Sequence, residues 1–212
     1  MKVGVIDYGV GNLGSVLHAL EQLRVAPLLV DRAADLHSAD CLILPGVGNF
    51  SDCARMLDAG GWKTALRDLV LGYERPLLGV CVGMQLLADS STEGACDAES
   101  CPGLGFVPGQ VRHLSSFGCR LRVPHVGWND ITRQRADEHL FDGIPDGTDF
   151  YFVHSYAFAP LDSADVLATT DYGVPVTAAV RHRHVWGTQF HPEKSSRAGL
   201  RLLRNFIAGP SC

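Results

Sequence analysis

Through its first half the chain alternates short β-branched runs with amphipathic stretches, and this pattern limits the fold more than any other feature of the sequence. Residues 2–7, 26–30 and 41–44 read as strands. Residues 13–23 read as a helix on which Leu13, Val16, Leu17, Leu20 and Leu23 recur at three- and four-residue steps, all on one face. A helix with one apolar face between two strands is a βαβ unit, so a parallel sheet covered by helices is expected. Two helical stretches follow residue 50, broken at Gly60-Gly61. Then Pro76-Leu77-Leu78-Gly79-Val80 reads as a buried strand that runs directly into a helix over 84–88. Residues 90–105 turn polar and small, as a surface loop would. Beyond them strands follow one another without long helices between, at 119–123, 150–153, 166–170, 176–181 and 185–189, which predicts antiparallel pairing. A last helix covers 196–207, with Leu200, Leu203 and Ile207 on one face and Ser195 or Ser196 as N-cap. The expected class is α/β: a central, mostly parallel sheet flanked by helices, with antiparallel strands in the C-terminal half. The chain has 212 residues, 46% of them hydrophobic, with no internal repeat and no linker, so one domain over 1–212 is expected.

Charge and cysteine content exclude several classes. The 18 basic and 23 acidic residues are scattered and leave a net charge of −5, so no basic stripe suggests a nucleic-acid partner. No apolar run reaches the roughly 18 residues of a membrane helix, and no secretory leader is evident, so a soluble cytoplasmic protein is expected. The seven cysteines are odd in number and lack C-x-x-C spacing, which argues against a disulfide framework. Cys96 and Cys101 flank a polar loop without a nearby His, so neither a metal nor a cofactor is expected.

Two motifs compete for the chemistry. Gly9-x-Gly11-x-x-Gly14 follows the first strand and opens the first helix, and Asp31 ends the second strand. Taken alone this is a dinucleotide fingerprint, with pyrophosphate against the helix N-terminus and Asp31 on a ribose hydroxyl; the alternative is a tight turn. Gly79-Val80-Cys81-Val82-Gly83 is more specific. Small residues flank a cysteine at a strand-to-helix turn, the layout of a nucleophile elbow. A sharp turn there holds the side chain in a sparsely populated backbone region, and the following helix N-terminus favours thiolate over thiol. A thiolate attacking a carbonyl needs a proton shuttle for the leaving group. Phe190-His191-Pro192-Glu193 offers a base and, two residues on and on the same side of an extended segment, a carboxylate to hold it. His182 and His184 look like a hairpin tip, and His18, His37, His113 and His139 have no catalytic neighbour.

Residues 79–87 (GVCVGMQLL) and 187–194 (GTQFHPEK) resemble the two signatures of the class I, triad-type glutamine amidotransferases, whose fold is flavodoxin-like. Residues 7–13, 45–50, 124–129 and 151–156 further resemble the glutaminase subunits of imidazole glycerol phosphate synthase, and these fragments span nearly the whole chain. The resemblance implies a Cys81, His191 and Glu193 triad acting on L-glutamine, with the amide groups of Val82 and of Val47 or Gly48 as oxyanion donors. It implies that Gly46, Gln85, Ser155 and Tyr156 hold the substrate's amino-acid end. It also implies that the glycine-rich first loop is structural, and that Asn12, Trp128 and Lys194 face a (β/α)8-barrel cyclase subunit that consumes the ammonia. Val126 stands where the family more often has Met, and the 90–105 loop is longer and richer in Cys than the family pattern. Three rivals remain open: a paralogous amidotransferase subunit with another acceptor, a stand-alone cysteine hydrolase of γ-glutamyl substrates, and a dinucleotide-binding module.

Overall fold

The computed structural model describes residues 1–95 and 100–209. In chain order the elements are β1 (Val3–Ile6), α1 (Leu13–Gln22), β2 (Pro27–Val30), β3 (Cys41–Gly46), α2 (Phe50–Ala59), α3 (Trp62–Arg67), β4 (Leu77–Cys81) and α4 (Val82–Gln85). The two-residue strands β5 (Ser90–Ser91) and β6 (Cys101–Pro102) precede β7 (Gly109–His113), β8 (His125–Asp130), β9 (Thr132–Arg133), β10 (Asp149–His154) and β11 (Tyr156–Pro160). The chain continues through β12 (Val166–Asp171), β13 (Pro175–His182) and β14 (Val185–Thr188) to α5 (Ser196–Ala208).

An eight-stranded sheet runs in the order β2-β1-β3-β4-β14-β13-β12-β9. The strands from β2 to β14 are parallel, and β13, β12 and β9 extend the sheet antiparallel. β3 and β4 lie at its middle and are buried along their whole length, as strands covered on both faces must be. α1 turns Val16, Ala19 and Leu20 into the core, which continues through Leu42, Leu44, Leu78, Met84, Phe190 and Leu203. Two smaller sheets, β10-β8 and β11-β7-β5-β6, adjoin the antiparallel part of the large one, β8 against β12 and β11 against β13.

What this does for a site is set by register. Gly46 lies opposite Cys81, and Thr188 lies opposite Val80. The carboxyl ends of β3, β4 and β14 therefore come together at one edge, where open α/β sheets bind ligands.

Several expectations from the sequence need correction. Residues 119–123 form no strand: Leu121 is half exposed, Pro124 has no N–H to give a ladder, and pairing starts only at His125. The helix expected over 84–88 is the single turn Val82–Gln85, because the carbonyls of Leu86, Leu87 and Ala88 accept hydrogen bonds from residues 104–107 instead. That same capture pulls part of the 90–105 segment inward, so Ser91 and Leu104 are buried. In α5 the buried face is Gly199, Leu202, Leu203 and Phe206, and Leu200 and Ile207 are half-buried at its margin. Ser195 precedes α5 but does not cap it through its side chain, since its hydroxyl is used elsewhere, as described below.

Candidate active site

Cys81 ends β4 with φ 56° and ψ −113°, a backbone conformation that non-glycine residues rarely adopt. The strain is held by close packing beneath the turn. A Cβ on Gly83 would strike the Leu44 carbonyl oxygen, and one on Gly46 would sit 2.6 Å from the Gly83 nitrogen. No other residue fits at either position, so the glycines let β3 and the elbow approach and aim the sulfur outward. Gly46 accordingly supports the elbow from below and does not itself line the cavity above it.

That cavity measures about 320 Å³ and is lined by Val47, Gly48, Cys81, Val82, Gln85, Glu93, His154, Ser155, Tyr156 and His191 among others. The volume suits an amino-acid-sized ligand. Val82 and the Val47-Gly48 segment flank the sulfur, and Gly48 has φ 91°, a conformation open to glycine.

His191 follows β14 and is braced by β10. Its N–H donates to the Tyr151 carbonyl at 2.9 Å, and its own carbonyl accepts from the Ser195 hydroxyl at 2.6 Å. That hydroxyl oxygen accepts in turn from the Tyr151 N–H at 3.0 Å. The ring is oriented by a 2.7 Å hydrogen bond between Nδ1 and Glu193 Oε1, with both side chains buried. Nε2, on the far side of the ring, is buried without a hydrogen-bond partner. Burial alone would lower the His191 pKa, but Cys81 and Glu193 overcome it and raise the imidazole to about 10. The site thus favours an imidazolium between a sulfur and a carboxylate.

Gln85 is buried with both of its amide hydrogens committed: Nε2 donates to the Tyr156 carbonyl and to Gln189 Oε1, each at 3.0 Å. A main-chain carbonyl can only accept, which fixes the amide's orientation. Oε1 is left as an acceptor for a ligand. Glu93 was not singled out from the sequence, because it lies in a polar loop without periodicity. In the fold it lines the cavity, anchored at the start of α2 by the Phe50 N–H at 2.9 Å. Burial raises its pKa although that hydrogen bond lowers it, so the carboxylate gains from a nearby cation. Gln85 and Glu93 thus both present side-chain oxygens among the residues that line the cavity.

Of the remaining predicted residues, Trp128 and Lys194 meet at one ring. Trp128 is 54% exposed and meets Tyr151 edge-on at 6.0 Å, and Lys194 Nζ stands 5.9 Å over the same Tyr151 ring. Val126 and Val153, paired across β8 and β10, extend this exposed apolar strip. Asn12 is half-buried at the start of α1 and does not cap the helix through its side chain; α1 packs on the turn Pro192–Lys194.

The fingerprint glycines fit a turn and not a cofactor. Gly11 packs on Pro45, Gly9 has φ 93°, and a Cβ on Gly14 would meet nothing, whereas the third glycine of a dinucleotide motif permits close helix-to-strand packing. Asp31 is exposed beside Arg32. His182 and His184 bracket the β13-to-β14 turn, bonded to Asp165 and to the Val70 carbonyl. Cys96 lies outside the described residues. Among those residues Cys41, Cys53, Cys81, Cys101 and Cys119 are free thiols, and no group of three or more His, Cys, Asp or Glu is placed to hold a metal. No helix among them is long and apolar enough to cross a membrane.

A cysteine on an elbow at the carboxyl edge of a parallel sheet, with a carboxylate-held histidine just beyond the neighbouring strand, is the arrangement of a triad amidotransferase. The family model described as glutamine amidotransferase class-I matches residues 4–209, and the chain belongs to that family. Within it, the chain is 45% identical to the imidazole glycerol phosphate synthase subunit HisH of Rhodospirillum rubrum, over 98% of both chains. It is 42% identical to the protein of the same name from Aromatoleum aromaticum, over 97% of both. A solved structure described as a glutamine amidotransferase superposes with a TM-score of 0.74 at 25% identity, covering 97% of each chain.

Proposed function

We propose that the chain is the glutaminase subunit of an imidazole glycerol phosphate synthase, working in the cytoplasm in histidine biosynthesis. It hydrolyses L-glutamine to glutamate and ammonia and passes the ammonia to a (β/α)8-barrel cyclase subunit. The observation that carries the chemistry is the strained Cys81 elbow sharing one cavity with the Glu193-held His191. Full-length similarity to proteins named HisH supports the acceptor pathway and disfavours a paralogous subunit.

In this mechanism glutamine enters with its ammonium group against Gln85 Oε1 and Glu93 and its carboxamide over Cys81. The sulfur attacks the carboxamide carbon, and the amide N–H groups of Val82 and of Val47 or Gly48 receive the oxyanion. His191 Nε2 gives its proton to the departing amine, the C–N bond breaks, and ammonia leaves a γ-glutamyl thioester on Cys81. Nε2 then takes a proton from water as the oxygen attacks, and cleavage of the C–S bond releases glutamate and restores the thiolate and imidazolium. Glu193 stays ionised and stabilises the imidazolium throughout. Ser155 and Tyr156 shape the wall along the substrate backbone.

The exposed strip of Trp128, Val126 and Val153, with Asn12 and Lys194 beside it, is the face for the cyclase. It abuts the cavity, since Val153 belongs to both, so the partner covers the site through which ammonia leaves. The test is glutamate release measured by the chain alone, with the cyclase subunit, and with the cyclase plus its nucleotide substrate. Activity that requires neither subunit nor nucleotide would favour a stand-alone hydrolase and refute the subunit assignment.

A further inference from the structure

Two buried histidines take no part in the chemistry above. His125 and His154 face each other across β8 and β10, exposed by only 3% and 6%, with His125 Nδ1 and His154 Nε2 3.0 Å apart. The protons in this contact can be assigned. His154 Nδ1 lies 2.8 Å from the Tyr156 carbonyl, which can only accept, so Nδ1 carries the hydrogen. A neutral His154 then has a lone pair on Nε2, so His125 Nδ1 must be the donor across the pair. That leaves a lone pair on His125 Nε2, and the group 3.3 Å away is the Asn129 amide nitrogen, a donor. Asn129 is itself fixed by a second bond to the Asp171 carbonyl at 2.8 Å. One arrangement of protons satisfies every contact in the chain.

The chain of bonds ends at the active site. The Tyr156 carbonyl accepts from His154 Nδ1 and from Gln85 Nε2, which fills both its lone pairs. Gln85 also donates to Gln189, whose Nε2 lies 3.9 Å from the Cys81 sulfur. His154 additionally bridges the corner at Ser155 where β10 passes into β11, the stretch that walls the cavity. His125 is held flat between Phe152 and Tyr172, with ring centroids at 4.8 and 4.0 Å. Neither ring can turn without breaking a bond or a stack.

We infer that His125 and His154 are positioning residues for glutamine binding: two neutral imidazoles, each locked with its proton on Nδ1, that clamp the Tyr156 carbonyl and thereby hold Gln85 with its oxygen toward the substrate. The inference rests on the glutaminase reading of the cavity. It also places Asn129, the neighbour of the exposed Trp128, at the outer end of the same hydrogen-bond chain.

The test pairs two variants of His154 with one spectrum. His154→Asn keeps a donor near the Nδ1 position, whereas His154→Gln places its amide near Nε2 and loses that donor. Measured with the cyclase present, His154→Gln is expected to raise the KM for glutamine about tenfold, the effect of one lost hydrogen bond, with a smaller change in kcat. His154→Asn should recover most of that loss. Equal KM values for the two variants, or a lower KM for His154→Gln than for His154→Asn, would overturn the clamp, because a merely space-filling role favours the longer side chain. Long-range proton–nitrogen NMR of the wild-type chain at neutral pH should show both rings with hydrogen on Nδ1 alone. An Nε2–H form or an imidazolium on either ring would overturn the proton assignment even if a variant failed to fold. Wild-type protein without glutaminase activity under these conditions would instead refute the reading of the cavity, and the clamp's role with it.

Discussion

Glu193→Gln isolates the electrostatic part of the triad. The side chain is buried and makes one bond, from His191 Nδ1 to Oε1 at 2.7 Å, while Oε2 is buried without a partner. An amide can keep Oε1 in place and put its NH2 where Oε2 stood, so the change costs no hydrogen bond already made and little volume. What disappears is the charge. A hydrogen bond to a charged group contributes roughly 1.5–3 kcal/mol, which as lost support for the imidazolium is roughly 10- to 150-fold in rate. If the amide turns instead, its NH2 faces Nδ1 and forces the proton to Nε2, the wrong tautomer, and the loss rises toward the roughly 10⁴-fold seen for such changes in serine triads. The folded-state pKa of His191, raised to about 10, must fall in the variant because one of the groups raising it is gone. The sign for stability follows. Its contribution is complete below the ordinary value near 6.5 and is lost as pH rises toward 10, so the variant should lose stability at lower pH than the wild type does. The assay is glutamate release with the cyclase and its nucleotide across pH, beside melting curves over the same range. Wild-type turnover, or an unmoved basic limb in both measurements, would remove Glu193 from the mechanism.

Further outcomes are expected. Cys81→Ala should abolish glutamine-dependent synthesis while ammonium salts still support the cyclase in the complex; retained glutaminase activity would make Cys81 structural. Gly83→Ala drives a Cβ onto the Leu44 carbonyl and should lower the melting temperature sharply or abolish soluble expression, since backbone on both sides leaves no easy relaxation; a normally stable variant would refute the packing argument for the elbow. His154 and His125 are lowered to about 3 and 4 by burial, so the unfolded chain binds protons that the native one refuses. Stability should erode as pH falls from about 6.5, by up to roughly 1.4 kcal/mol per pH unit for each ring, and a urea midpoint flat between pH 7 and 5 would contradict this. The isolated chain should hydrolyse glutamine on the order of 10²- to 10³-fold more slowly than the complex with nucleotide bound, the effect of one missing oxyanion donor in the glycine-flanked Val47 loop. Equal rates would exclude gating there.

What was legible in the sequence is what local pattern encodes. The βαβ half and the elbow are each set within a few residues, by periodicity or by glycine placement, and each stands in the fold where the pattern put it; His191 and Glu193 do meet, but across the 3₁₀ turn Pro192–Lys194 and not along the extended segment expected, because Pro192 starts a turn there. The misreadings share a cause. Residues 119–123 alternate like a strand but find no neighbouring edge, and the helix after Cys81 stops early because a later segment takes its carbonyls. Both depend on contacts remote in sequence. The same holds for function. Glu93 lines the cavity only because the start of α2 anchors it beside an elbow contributed by β4. His125 and His154 lie 29 residues apart and make sense only once β8 and β10 are set in register, which brings ring to ring. A residue that reacts must have its partners held rigidly, so its motif is short and readable. A residue that positions another acts through a chain of neighbours, and its role can be recovered only by tracing where each proton goes.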